Sequence, residues 1–131
     1  MGSDKQIAVA MALTPDLGLL PVVQGLVNQL AEKMGFGESQ RLNLQKGVGR
    51  ACRQLIENRG GNGGGEMQLE FSGFSDRLEI VVEDGEGAGE AAEPDSFLLN
   101  QLLDRVVFEE TGEGKSRITL VKYLSRVESQ P

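Results

Sequence analysis

The stretch VVEDGEGAGEAAEPDSF, residues 81–97, has the glycine spacing of a loop that could hold phosphate groups. Its three glycines occupy every second position, after an apolar run and before a segment typical of a helix. Such a loop binds an anion through bare backbone N–H groups and a helix N-terminus. The negative charge of its six acidic residues opposes phosphate binding, however, and these are Glu83, Asp84, Glu86, Glu90, Glu93 and Asp95.

A second candidate for phosphate binding is GEGKS, residues 112–116, which ends like the Walker A loop of P-loop nucleoside triphosphatases. That motif requires a glycine five residues before Gly114, where this chain has Glu109. It also requires a helix after the lysine, whereas the residues after Lys115 alternate as in a strand. We therefore reject this motif.

Composition limits the remaining chemistry. The chain has 131 residues, no histidine, one cysteine and a net charge of -7. The lack of histidine excludes imidazole metal ligands, Ser-His-Asp and Cys-His nucleophiles, and the commonest general base. The acidic balance argues against nucleic acid or an anionic membrane as partner. Because Cys52 has no disulfide partner, and neither a secretory signal nor an apolar run of about 20 residues is present, we expect a cytoplasmic protein.

The hydrophobic periodicity predicts the elements that would position a site. Period-two alternation predicts strands near residues 7–13, 67–72, 77–83, 106–110 and 116–123, and a period of about 3.6 predicts three helices. Their order is β, α, α, β, β, α, β, β. This order predicts an α+β two-layer sandwich, with a mixed, mostly antiparallel sheet of about five strands and about three helices on one face. We expect residues 1–131 to form a single domain with flexible tails at 1–5 and 125–131.

These elements resemble the anti-sigma regulatory serine/threonine kinases. The resemblance rests on the second helix and on IVVEDGEGAG, LLNQLLDRVVFEE and GEGKSRITLVKYL, and it runs from about Leu13 to Leu124. Members of that family are small proteins with the fold of histidine-kinase, gyrase, mismatch-repair and heat-shock-chaperone ATPases. The resemblance implies this histidine-kinase-like ATPase fold and a role in bacterial transcription regulation by partner switching.

The second helix departs from the family where the chemistry is expected. In the family it carries a catalytic Glu, then an Asn that holds Mg²⁺, then often a His, at steps of four residues. The sequence GVGRACRQLIENRG places Arg50, Gln54 and Asn58 at these positions. An arginine cannot accept a proton, whereas Gln54 keeps the amide. The resemblance thus implies that the chain has no catalytic residue and no metal ligand. In the alternative interpretation, Arg50 and Gln54 are merely solvated polar residues on a half-buried helix.

The family's adenine-contacting motif, Asp-x-Gly-x-Gly, is also altered. Here Asp84 is followed by Gly85 and Gly87, so the glycines fall one place early, whereas counting from Glu83 fits the glycines but loses the Asp. The family's glycines around the triphosphate are replaced by Glu93–Ser96, and Ser116 takes the place of a Thr near the adenine or is an ordinary strand residue. The resemblance implies nucleotide-site remnants at Gln54, Asp84, Gly85, Gly87 and Ser116. The acidic stretch is either a remnant of a nucleotide lid or a solvated connector.

Two functions follow from the resemblance. In the first, the chain is a regulatory protein of the anti-sigma factor kinase type that binds a signalling partner through a degenerate site without a cofactor. Its partner would be an anti-sigma antagonist, a sigma factor or a related signalling protein, and a homodimer stays open. In the second, it is an active serine/threonine protein kinase with a divergent site that uses ATP and Mg²⁺. The glycine usage favours the first function.

Overall fold

The computed structural model describes residues 5–58, 65–84, 96–110 and 116–124. The elements are β1 (Ile7–Leu13), α1 (Leu20–Met34), α2 (Glu38–Asn58), β2 (Met67–Gly73), β3 (Arg77–Asp84), α3 (Ser96–Leu102), β4 (Arg105–Glu110) and β5 (Ser116–Tyr123). The predicted order is confirmed, and each predicted strand lies within one residue of its observed bounds. The acidic stretch 85–95 and the predicted tails, except Lys5, lie outside the described residues, and the single domain over 1–131 stays a prediction.

The five strands form one sheet in the order β1-β2-β3-β5-β4. Each neighbouring pair in this described sheet is antiparallel. After β3 the chain passes through α3 to the edge strand β4 and then returns as β5 between β3 and β4. This return places the last residue of β3, Asp84, directly opposite the first residue of β5, Ser116.

The two faces of the sheet differ in polarity. One face packs against the helices through side chains that alternate along the strands, and these include Met67, Leu69, Phe71, Leu78, Ile80, Val82, Ile118 and Leu120. From α2, residues such as Leu44, Val48 and Cys52 complete the same core. The opposite face carries charged side chains such as Glu83 and Arg117. The α+β two-layer sandwich predicted from the sequence is therefore confirmed.

The first two helices are tied together at their connection. Gly35 ends α1 with a φ of 99°, a left-handed conformation that glycine adopts without strain. Arg41, near the start of α2, donates hydrogen bonds to Asn28 Oδ1 at 3.0 Å and to the Phe36 carbonyl at 2.9 Å. Because one guanidinium contacts α1 and the connection at once, it fixes how α1 lies along α2.

Candidate functional site

Three helices surround a groove of about 480 Å³ between the start of α1, the middle of α2 and α3. Its apolar lining comes from Leu17, Leu20, Pro21, Leu98 and Leu102. Its polar lining comes from Gln24, Lys46, Gly49, Arg50, Arg53 and Gln101. We call it the helix groove. Its volume lies within the range of about 300–1,000 Å³ that is usual for ligand pockets.

A basic stripe lies along the α2 side of the helix groove. It consists of Lys46, Arg50 and Arg53, whose spacing of four and three residues places them on one face of the helix. All three residues are exposed. Of these three side chains, only Arg53 forms an ion pair within the described part of the chain, with the exposed Glu57 at 3.5 Å. The described lining contains no carboxylate, so this lining carries positive charge in a chain whose net charge is -7.

The sequence interpretation found Arg50 but missed Lys46 and Arg53. The missed signal was readable, because three cations at i, i+4 and i+7 must share one helix face. The sequence does not show which residues form the apolar wall opposite these cations. That wall comes from residues 17–21 and 98–102, which are far from α2 in the chain.

Close contacts hold the walls of the helix groove in place. Gln24 of α1 donates a hydrogen bond from Nε2 to the Gln45 carbonyl of α2 at 3.0 Å. Its amide lies over Gly49, where a Cβ would collide with it. On the other side, a Cβ at Gly47 would lie 2.9 Å from Cδ1 of the buried Leu103. The two glycines thus permit α1 and the end of α3 to approach α2 closely.

The predicted nucleotide-site residues divide between two places. Asp84 and Ser116 are paired across β3 and β5, each only 3% exposed, on the face of the sheet that the helices cover. Neither residue lines the helix groove. The structure places these two residues side by side, and their role in nucleotide binding stays a prediction. Gly85 and Gly87 lie outside the described residues.

The two helix positions also differ in environment. Arg50 is exposed and lines the helix groove, whereas Gln54, one turn later, is half-buried and does not line it. Asn58 is the last residue of α2. The guanidinium of Arg50 places a cation in the helix groove, and its match to the family's Glu stays a prediction.

Other reactive groups in the described part of the chain are few. Burial raises the pKa of the Cys52 thiol from 9.0 to about 12, so the thiol stays protonated and does not act as a nucleophile. Within residues 5–58, 65–84, 96–110 and 116–124, no three acidic or cysteine side chains gather in a way that could hold a metal ion. In the same ranges, no helix is long and apolar enough to cross a membrane.

Comparison with known structures identifies the class of fold. The chain superimposes on the crystal structure of the RsbU and RsbW domains of Rv1364c from Mycobacterium tuberculosis with a TM-score of 0.74. The superposition covers 92% of this chain and 33% of that chain, at 14% sequence identity. The chain therefore shares its fold with part of that structure, and the fold is the α+β class that the sequence predicted.

A sequence comparison supports the same resemblance. The chain is 32% identical over 65 residues to the serine-protein kinase RsbW of Bacillus licheniformis. The match covers 48% of this chain but only 40% of that relative, and no protein-family model matches. Sequence and fold together support the same family, the anti-sigma regulatory serine/threonine kinases, so the resemblance inferred from the motifs is confirmed.

Proposed function

We propose that this chain is a regulatory protein that binds a signalling partner protein and does not transfer phosphate from ATP. The observation that carries the proposal is the exposed Arg50 in the basic stripe. In the family that the chain resembles, this position holds the glutamate that activates the nucleophile. The relative in Bacillus licheniformis is named a serine-protein kinase, and we propose that this chain keeps its fold without its reaction.

The chemistry of phosphoryl transfer supports this proposal. Transfer to a serine needs a group that accepts or orients the hydroxyl proton and a divalent ion that offsets the phosphate charge. Arg50 cannot accept a proton, and the described lining of the helix groove offers no carboxylate in its place. Glu93 and Asp95 replace glycines of the family's phosphate motif in the sequence and add repulsion.

The proposed partner is a protein of a partner-switching system: an anti-sigma antagonist, a sigma factor or a related signalling protein. Apolar side chains exposed around the start of α1 and α3 suit such contacts, with Leu17 39% and Phe97 71% exposed. We propose that the protein works in the cytoplasm and requires no cofactor. Binding as a homodimer is compatible with this function.

The second candidate function is an active ATP-dependent serine/threonine kinase with Mg²⁺. One observation favours it. Asp84 and Ser116 meet at the ends of β3 and β5 and are both buried, where the family resemblance implies the adenine contact. We call Asp84 and Ser116 the adenine corner. If it still contacts adenine, it would allow nucleotide binding even where the phosphate end of the site has changed.

The experiment that separates the two functions is incubation with labelled ATP, Mg²⁺ and candidate partner proteins. The double variant Arg50→Glu, Gln54→Asn restores the family's two helix residues and is assayed in parallel, with an active RsbW-type kinase and its own substrate as positive control. We expect both forms of this chain to be inactive, because the lost glycines are not restored. Stoichiometric serine phosphorylation by the unmodified chain would overturn the proposal.

A titration with a fluorescent ATP analogue tests the adenine corner separately. The matched variants are Asp84→Asn, which replaces one acceptor oxygen of the carboxylate by an NH₂ donor, and Arg50→Gln, which removes the positive charge in the groove. Binding that is lost in Asp84→Asn, together with phosphoryl transfer, would favour the kinase. Partner binding by the unmodified chain without ATP favours the regulatory function.

A further inference from the structure

The helix groove combines two kinds of surface that select opposite parts of a ligand. One wall is apolar, from Leu17, Leu20 and Leu102 with their neighbours, and the other is the basic stripe. A purely apolar ligand would leave the cations without a counter-charge, and a small anion would leave the apolar wall in water. The geometry favours a ligand that is apolar along one side and acidic along the other.

We propose that the helix groove binds an acidic amphipathic helix of the partner protein. This inference rests on the proposed partner-binding function and names the surface and the partner chemistry. Carboxylates of the partner pair with Lys46, Arg50 and Arg53, and its leucine-like side chains pack between α1 and α3. An amphipathic helix that lies in a groove is a recurrent mode of peptide recognition, with anchor residues at helical spacing.

The spacing of the stripe specifies the pattern on the partner. Lys46 and Arg53 are seven residues apart on α2, a rise of about 10 Å along the helix axis. A helix that lies antiparallel to α2 presents carboxylates at i, i+3 and i+7 with the same rise and order. The partner segment therefore needs about two helical turns with acids on one side.

The charge of the rest of the chain makes the groove selective. The net charge of -7 repels an acidic segment from most of the surface, whereas the groove attracts it. Within the described ranges, Lys46 and Arg50 have no hydrogen bond or ion pair of their own that binding would have to break. Complementary charge therefore determines where the segment binds, and the apolar wall adds contact area.

The experiment uses synthetic peptides of about four helical turns as probes. The first carries glutamates at i, i+3 and i+7 and leucines on the opposite side, the second has glutamines for the glutamates, and the third has serines for the leucines. Fluorescence anisotropy measures the Kd for the full chain and for Arg50→Glu, Arg50→Lys and Lys33→Glu. Lys33 is exposed at the far end of α1. Lys33→Glu has the same net charge as Arg50→Glu, because each variant replaces one cation by one carboxylate.

We expect the unmodified chain to bind the first peptide, and to bind the second and third at least about ten-fold more weakly. Arg50→Glu should weaken the first complex by about ten-fold or more, while Arg50→Lys and Lys33→Glu stay within about two-fold. Added salt should weaken the complex, because exposed charges are screened beyond about 10 Å at 0.1 M. Amide chemical shifts of Gly49 and Gln101 should change on binding.

Three results would overturn the inference. The first is an equal Kd for the acidic peptide and its glutamine counterpart. The second is that Lys33→Glu and Arg50→Glu weaken the complex equally, and the third is that amide chemical shifts change only outside the helix groove. A natural partner that binds the unmodified chain and Arg50→Glu equally well would overturn the groove as the docking surface but support the partner-binding function. Phosphoryl transfer by the chain would contradict the proposed function while leaving the peptide result unchanged.

Discussion

The ammonium group of Lys122 donates a hydrogen bond to the backbone carbonyl of Leu102 at 3.1 Å. Lys122 is only 8% exposed and lies on β5 on the same side as the buried Ile118 and Leu120. Leu102 is the last residue of α3, where carbonyl groups lack helical partners and a cation is favourable. The sheet thus fixes the end of α3, and with it one wall of the helix groove.

Replacing Lys122 by methionine should destabilise the chain. The variant keeps the length of the side chain but leaves the Leu102 carbonyl without its partner, so we expect a loss of about 1–3 kcal/mol in the free energy of unfolding. Urea denaturation measures the difference. Lys33→Met, at an exposed position on α1, is the matched control and should change stability much less. Equal stability of the Lys122→Met variant and the unmodified chain would contradict this prediction.

Two glycines of α2 should respond differently to alanine. Alanine favours the helix over glycine by about 1 kcal/mol at either position. At Gly47 the new Cβ meets the buried Leu103 at 2.9 Å, and overpacking of this kind costs about 1–3 kcal/mol. At Gly49 it meets only the movable end of Gln24, whose hydrogen bond to Gln45 is lost.

We therefore expect Gly47→Ala to be the less stable of the two variants, and Gly49→Ala to stay within about 1 kcal/mol of the unmodified chain. Thermal unfolding of both variants in one buffer gives the comparison. A Gly47→Ala variant that melts at or above the temperature of Gly49→Ala would show that Leu103 moves aside without cost.

Arg117 should contribute stability that depends on salt. Its guanidinium pairs with Glu83 at 3.1 Å and Glu109 at 3.7 Å, across both strands that flank β5. Exchange to glutamine leaves two carboxylates without their shared cation in a chain of net charge -7. Because the three side chains are partly exposed, we expect a loss of only about 1 kcal/mol at low salt.

In about 1 M NaCl this loss should shrink, because the screening length falls to about 3 Å. Chemical denaturation by urea, which is uncharged, at both salt concentrations measures it. Arg53→Gln, which removes the exposed pair with Glu57, serves as control and should have a smaller effect. A loss that is independent of salt would indicate that Arg117 acts through packing and not through its charge.

The buried thiol of Cys52 should make stability fall at alkaline pH. Burial raises its pKa from 9.0 to about 12 in the folded chain. Above pH 9 the unfolded chain therefore releases a proton that the folded chain keeps, and the free energy of unfolding falls between pH 9 and 12. The slope from one such group is at most about 1.4 kcal/mol per pH unit. Below pH 9 the thiol contributes no pH dependence.

Urea denaturation at about pH 8 and about pH 10.5, in the unmodified chain and in Cys52→Ala, isolates this slope. The alanine variant lacks the thiol and should lose less stability between the two pH values, although it is less stable at both because of the cavity. Equal losses in the two proteins would show that the folded chain exposes or ionises the thiol.

Several features of the fold could be predicted because they depend on neighbouring residues. Alternation in Leu69, Phe71 and the later strands defined a buried face, and the change to a period near 3.6 defined the helices. The motifs of α2 and β3 identified Arg50 and Asp84 as candidate residues from the sequence alone. The same patterns predicted a mixed, mostly antiparallel sheet, and every described strand pair is antiparallel.

The sequence by itself determined the order and bounds of the elements, the α+β class and the presence of an arginine, Arg50, on α2. Only the tertiary structure decided the strand order, the pairing of Asp84 with Ser116 and the helix groove. These features join segments from three distant parts of the chain, such as 17–24, 46–53 and 98–102. Periodicity reports only which side of a segment is buried, because it reflects spacing within one helix or strand. Which other segment packs against that buried side is decided by the packing of the whole core.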